Sequence, residues 1–175
     1  MRKLKLEELG RVDVEAYADV PKIPVTVILD NIRSALNVGS VFRTADAMAI
    51  EEIILCGITA QPPHKEIKKT AIGATKSVKW SYQKKVLEAV KEAQSKGAYI
   101  IGVEQIDESV PLTGYSFPTD KPIVIILGNE VNGISDDILP LLDQAIEIKQ
   151  YGTKHSLNVS VCAGILMWEL RQAIG

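Results

Sequence analysis

Five short apolar runs set the strongest constraint on what this chain can fold into: Val25–Leu29, Ile53–Cys56, Tyr99–Val103, Ile123–Leu127 and Ala145–Ile148. Most are continuous and β-branched, with no polar alternation, which is the pattern of strands buried on both faces. Helical stretches separate them. The clearest covers Tyr82–Lys96, with Ser81 as its cap, an apolar stripe of Val86, Leu87, Val90 and Ala93, and Gly97 as its stop. A second runs from about Asn37 to Ala49, a short one follows Ser135, and the last begins near Ser156. Strands alternating with helices specify an α/β fold, a parallel sheet with flanking helices. With 175 residues, the chain reads as one domain over 21–175 preceded by an N-terminal arm or short extension over 1–20.

Several classes are disfavoured at once. No apolar run approaches a membrane span, and the N-terminus MRKLKLEELGR lacks the apolar core of a signal peptide. The two cysteines, Cys56 and Cys162, lie far apart with no CxxC and no His/Cys cluster, so neither a disulfide scaffold nor a metal site is expected and a cytoplasmic setting fits. No GxGxxG follows the first strand and no GxxxxGK[ST] occurs, which disfavours dinucleotide and P-loop sites.

Charge is unevenly distributed. The net charge is −2, yet residues 64–85 hold seven lysines against the single acid Glu66. Residues 104–147 hold nine acids against Lys121. A basic segment in an acidic protein can still bind phosphate locally, because surface charges are screened beyond ~8–10 Å. The plain alternative is a solvated lysine-rich face.

Parallel sheets bind ligands at the carboxyl ends of their strands, which directs attention to three loops. The first, DNIRSALNVGSVFRTADA, opens a helix carrying Asn37, Gly39 and Arg43. Arg43 should lie back over Gly39. A helical glycine costs ~1 kcal/mol relative to alanine, so open space there suggests that something approaches closely. An Arg43–Asp46 surface pair is the plain alternative. The second loop, LGNEVNG, follows the most apolar strand; Gly128 permits a tight exit, Gly133 a positive φ, and Glu130 stands at the ligand-binding edge. The third begins at Ile148, turns at Gly152 and opens a helix with Ser156, Leu157, Asn158 and Ser160. Taken singly, each has an ordinary reading as a turn or cap.

In this order and at these strand ends, the three loops resemble the signature motifs of the SpoU (TrmH-type) RNA 2′-O-ribose methyltransferases of the SPOUT superfamily. Asn37 and Arg43 match an N-x5-R segment; Leu127, Gly128, Glu130 and Gly133 match L-G-x-E-x-x-G; Ser156 to Ser160 match S-L-N-V-S. The resemblance covers about Val25 to Leu170. It implies a C-terminal deep trefoil knot, a homodimer with the site near the subunit interface, and S-adenosylmethionine as methyl donor without a metal. Cofactor contacts would fall on Leu127, Gly128, Ile148 and Leu157. Arg43 would be the catalytic residue, with Asn37, Glu130, Ser156 and Asn158 orienting it and the ribose. Lys65, Lys68, Lys69 and Lys76 become candidates for RNA phosphate contacts, and Trp80 and Tyr82 for base stacking, with core packing the favoured fate of Trp80. The implied substrate is RNA, tRNA favoured over rRNA; a non-catalytic RNA-binding module on the same fold is the runner-up.

Overall fold

A computed structural model of the protein describes residues 1–175, the Leu6 side chain excepted. Two short 3₁₀ turns, Leu6–Leu9 and Ala16–Asp19, precede the domain. The elements that follow are β1 (Ile23–Asp30), α1 (Ala35–Ala47), β2 (Ile50–Cys56), α2 (Lys65–Ala71), β3 (Trp80–Gln83), α3 (Val86–Ser95), β4 (Tyr99–Val103), β5 (Val110–Pro111), β6 (Ile123–Leu127), β7 (Gln144–Glu147) and α4 (Val159–Ile174). The seven strands form one sheet in the order β3-β2-β1-β6-β4-β7-β5, and every pairing is parallel. All strand carboxyl ends therefore share one edge.

The register explains the continuous apolar runs. Val27 pairs with Ile53 on one side and Ile125 on the other, and Ile125 with Ile101. Successive side chains point to opposite faces. Val25, Val27, Leu29, Ile123 and Ile125 join a core beneath α1, α2 and α4, whereas Ile28, Val124 and Ile126 join a second core beneath α3. Helices cover both faces, so the central strand β6 carries no polar residue. All five residues of β6 are buried, each worth ~1.5–3 kcal/mol against exposure.

Tyr17 docks the N-terminal segment. It is buried, its hydroxyl donates to the Asp46 carbonyl at 2.8 Å, and the Lys22 ammonium sits 3.8 Å from its ring centroid. Burial, with nearby Asp46, pushes the phenol up to about 12, so it remains a donor at neutral pH.

Several elements differ from the sequence expectation. Trp80–Gln83 is an edge strand, so α3 begins only at Val86; Ser81 donates to Glu52 Oε1 at 2.9 Å and caps nothing. Pairing with β2 outweighs the local helical pattern at Ser81–Gln83. The residues after Ser135 form only a turn and a 3₁₀ segment, Leu139–Leu141, because Ser135 is bound to Asp30 and Pro140 lacks an N–H. The last helix begins at Val159, with Asn158 as its cap. β7 ends at Glu147, leaving Ile148 in the following loop. The basic segment contains a helix, α2, that its composition did not reveal.

Gly39 also has a different role. It is buried, and a Cβ there would overlap Thr70 Oγ1 and the Ile67 carbonyl oxygen of α2. The space beneath Arg43 is filled by a neighbouring helix. The glycine lets α1 and α2 approach closely.

Candidate active site

Glu130 is the hub of the site. Its Oε2 accepts from the Arg33 N–H at 2.8 Å, and its Oε1 accepts from the Ser34 N–H at 3.1 Å and from Asn37 Nδ2 at 3.0 Å. Asn37 Oδ1 then accepts from Asn158 Nδ2 at 3.1 Å. Asn158 Oδ1 in turn takes the Ser160 N–H at 2.8 Å, capping α4. A single polar chain thus joins the exits of β1 and β6 to the start of α4. Partial burial pushes Glu130 upward, but hydrogen bonds from Arg33, its own N–H, Asn37 and Ser34 outweigh this and hold the carboxyl below the ordinary glutamate value. At neutral pH it is an anion fully engaged as an acceptor, suited to positioning rather than proton transfer.

The turn that presents Glu130 is built tightly. Asn129 and Gly133 exchange backbone hydrogen bonds of 2.8 and 2.9 Å. Gly133 takes φ 71°, as expected from the sequence. A Cβ on Gly128 would collide with the Gly133–Ile134 backbone, so only glycine permits the closure. Three residues unremarked in the sequence hold this turn in place. Asn129 Nδ2 donates to the Asn31 carbonyl at 2.6 Å, and fully buried Asp30 accepts from the Ser135 N–H at 2.8 Å. Glu104 Oε2 accepts from the Ile134 N–H at 3.1 Å. Their signal was position alone, since Asp30 and Glu104 stand at the ends of β1 and β4.

Beside this chain lies a hollow of 530 Å³ at the carboxyl ends of β4, β6 and β7. Leu127, Gly128, Glu130, Ile148, Ser156, Leu157 and Asn158 all line it. These seven expected residues converge although up to thirty positions separate them in sequence. Its volume suits a small-molecule ligand, ~300–1,000 Å³ being usual. Leu157 and half-buried Ile148 offer apolar surface, with buried Leu127 behind them.

Arg43 does not join them. It lies six residues beyond Asn37 on α1, ~9 Å along the axis and on another face. It lines a second hollow, of 460 Å³, with Lys76 and part of the N-terminal segment. No ion pair among the described residues includes Arg43, so the Asp46 pairing considered from sequence does not form. Lys65 and Lys68 are exposed on α2, Lys69 pairs with Glu66 at 2.8 Å, and Lys76 is exposed just beyond. Trp80 packs edge-to-face on Phe42 with centroids 6.5 Å apart, so it belongs to the core. Tyr82 is more open, its hydroxyl donating to the Gly57 carbonyl at 3.0 Å.

Residues 24–168 match the SpoU rRNA Methylase family model. The chain is 32% identical over 152 residues to the tRNA (guanosine(18)-2′-O)-methyltransferase of Aquifex aeolicus, covering 83% of this chain and 68% of that protein. It is 31% identical to the 23S rRNA (guanosine-2′-O-)-methyltransferase RlmB of Neisseria meningitidis, covering 85% of this chain but 58% of the relative. Among solved structures, the A. aeolicus TrmH/SpoU tRNA modifying enzyme superposes with a TM-score of 0.80 at 26% identity, over 91% of this chain and 81% of that one. The AdoMet-bound rRNA methyltransferase of Sinorhizobium meliloti gives 0.80 at 26% identity, over 89% of this chain and 59% of that one. The chain belongs to the SpoU methylase family.

Proposed function

We propose that the chain methylates a ribose 2′-hydroxyl in RNA, with S-adenosylmethionine as donor and tRNA as the favoured substrate over rRNA. The observation carrying this reading is the Glu130–Asn37–Asn158 chain, which ties the family's three motifs together at the rim of one hollow. Relatives named for 2′-O-methylation of tRNA and of rRNA support the activity. The AdoMet-bound relative supports the donor.

When bound, S-adenosylmethionine supplies a methyl group activated by its sulfonium. Leu127, Gly128, Ile148 and Leu157 would hold it, the apolar side chains excluding water while backbone groups fix its polar edges. Glu130 keeps Asn37 and the β1 exit in place, and Asn37 keeps Asn158 in place. Ser156 and Asn158 face the hollow and orient the sugar. Arg43, which opens on the second hollow, acts as a cation that grips substrate phosphate. A guanidinium keeps its charge in proteins, which weighs against a base role. Lys65, Lys68, Lys69 and Lys76 extend the cationic surface toward RNA.

We also assign to the chain the family's C-terminal trefoil knot and a homodimer. The dimer reading is supported by exposed Leu36 on α1 and by exposed Val161 and Trp168 on α4, two helices packed on each other. Free thiols at Cys56 and Cys162 suit the reducing cytoplasm. No helix among the described residues is long and apolar enough to cross a membrane. The decisive experiment is calorimetric titration with S-adenosylmethionine, followed by labelled-methyl transfer to unmodified tRNA and rRNA and mapping of ribose methylation. Binding with 2′-O-methylated product is expected. A chain that does not bind the donor would sink the reading.

A further inference from the structure

The second hollow has a composition that the cofactor site lacks. Its cations are Arg43 and Lys76, and its apolar wall is formed by Val12, Val14 and Ile72, all three exposed. Two carboxylates also face it, but both are engaged: Asp13 Oδ1 accepts from the Ala16 N–H at 2.8 Å, and Asp46 accepts from the Ser77 hydroxyl. Neither Arg43 nor Lys76 forms an ion pair among the described residues, so both can reach an outside anion. The N-terminal wall is held in place by Tyr17, through its hydrogen bond to Asp46 and the Lys22 ammonium, which donates to the Tyr17 and Val20 carbonyls at 2.6 and 2.7 Å.

Ile72 is the unusual member. It ends α2 in the left-handed region, at φ 49° and ψ 42°, with Gly73 next at φ 94°. Glycine or asparagine is the ordinary choice there, and a β-branched residue is disfavoured. Its side chain gains nothing from burial, being 66% exposed at the rim of the hollow. A local rule broken without compensation in the fold is expected at functional positions. An apolar rim beside two free cations matches a nucleotide, whose base presents a flat apolar face and whose phosphate an anion.

We propose that this hollow receives one nucleotide of the substrate RNA, its phosphate on Arg43 and Lys76 and its base against Ile72 and the Val12–Val14 wall. The proposal rests on the methyltransferase reading and deepens it, since it makes the N-terminal segment part of substrate recognition.

The test compares Ile72→Gly with Ile58→Asn, a similarly exposed isoleucine outside both hollows. Thermal unfolding, titration with S-adenosylmethionine, and fluorescence anisotropy with an unmodified tRNA transcript are measured for each. Ile72→Gly should unfold no earlier than the parent, because glycine relieves the backbone. It should leave donor affinity within twofold and weaken RNA binding about tenfold, the low end for a lost apolar contact. Ile58→Asn should leave RNA binding unchanged. Equal RNA affinity for Ile72→Gly and the parent overturns the proposal, as does a parent chain that binds the donor but not the RNA. Absence of donor binding by the parent overturns the methyltransferase reading instead. Deletion of residues 1–14, which spares Tyr17, should weaken RNA binding in the same direction; unchanged affinity would remove the N-terminal wall from the site.

Discussion

The two hollows differ in how much of their order is already present. Around the first, Glu130, Asn37 and Asn158 form one chain, Asp30 holds the Ser135 N–H and Asn129 holds the Asn31 carbonyl, so the turn and the helix starts are fixed before any ligand arrives. Around the second, Arg43 and Lys76 are exposed and the wall is an N-terminal segment pinned mainly at Tyr17. A small donor held by backbone needs a rigid cradle, since a misplacement of ~1 Å can cost ~100-fold in rate. A polyanion can be caught by side chains that order only on contact, because long-range attraction does not require fixed geometry.

This contrast can be broken by separating donor binding from RNA chemistry. The largest effect is expected at Arg43: Arg43→Ala should lower methyl transfer by ~10³-fold through loss of substrate positioning, with donor affinity unchanged. Arg43→Lys should recover part of the rate if charge suffices, and a rate profile without an arginine-dependent ionisation would exclude the base role. Glu130→Gln should follow at ~10²-fold, and here donor affinity should also fall, because the turn bearing Gly128 loses its anchor. Equal donor affinity in both variants would erase the distinction between the hollows. Lys68→Glu with Lys69→Glu should weaken RNA binding ~10-fold and flatten its salt dependence without touching the donor.

Two further predictions concern the scaffold. Gly39→Ala forces a methyl group into the α1–α2 contact and should destabilise the fold by ~1–3 kcal/mol, seen as a fall in Tm. The smallest effect is a pH dependence. Glu130 titrates below the ordinary glutamate value when folded, so its hydrogen bonds stabilise the protein at neutral pH. That contribution is lost as the pH falls through the folded value. The Tm difference between the parent and Glu130→Gln should therefore narrow as the pH falls from neutrality to below the ordinary glutamate value. A constant difference would mean that Glu130 does not carry the charge assigned to it.

Much of the sheet was legible in the sequence. The expected runs correspond to β1, β2, β4, β6 and β7, because a strand buried on both faces leaves a continuous apolar signature. The short edge strands β3 and β5 left none. Ser81 and Tyr82 looked helical because a helix follows closely, and only pairing with Ile54 and Leu55 assigns them to the sheet. The motif residues of the first hollow were legible as types and spacings. Their hydrogen bonds were not, since Glu130 meets the Arg33 and Asn37 segments across more than ninety residues.

The sequence by itself determined the parallel α/β architecture, the strand ends worth inspecting and the family, since hydrophobic pattern and motif spacing are local properties of the chain. The tertiary structure alone decided that Gly39 serves a helix contact, that Glu130 accepts three hydrogen bonds from the β1–α1 segment, and that Arg43 opens on a different hollow from Gly128 and Leu157. Those outcomes depend on which distant backbone groups the parallel register brings within about 3 Å, and hydrogen bonding and steric exclusion act only at that range.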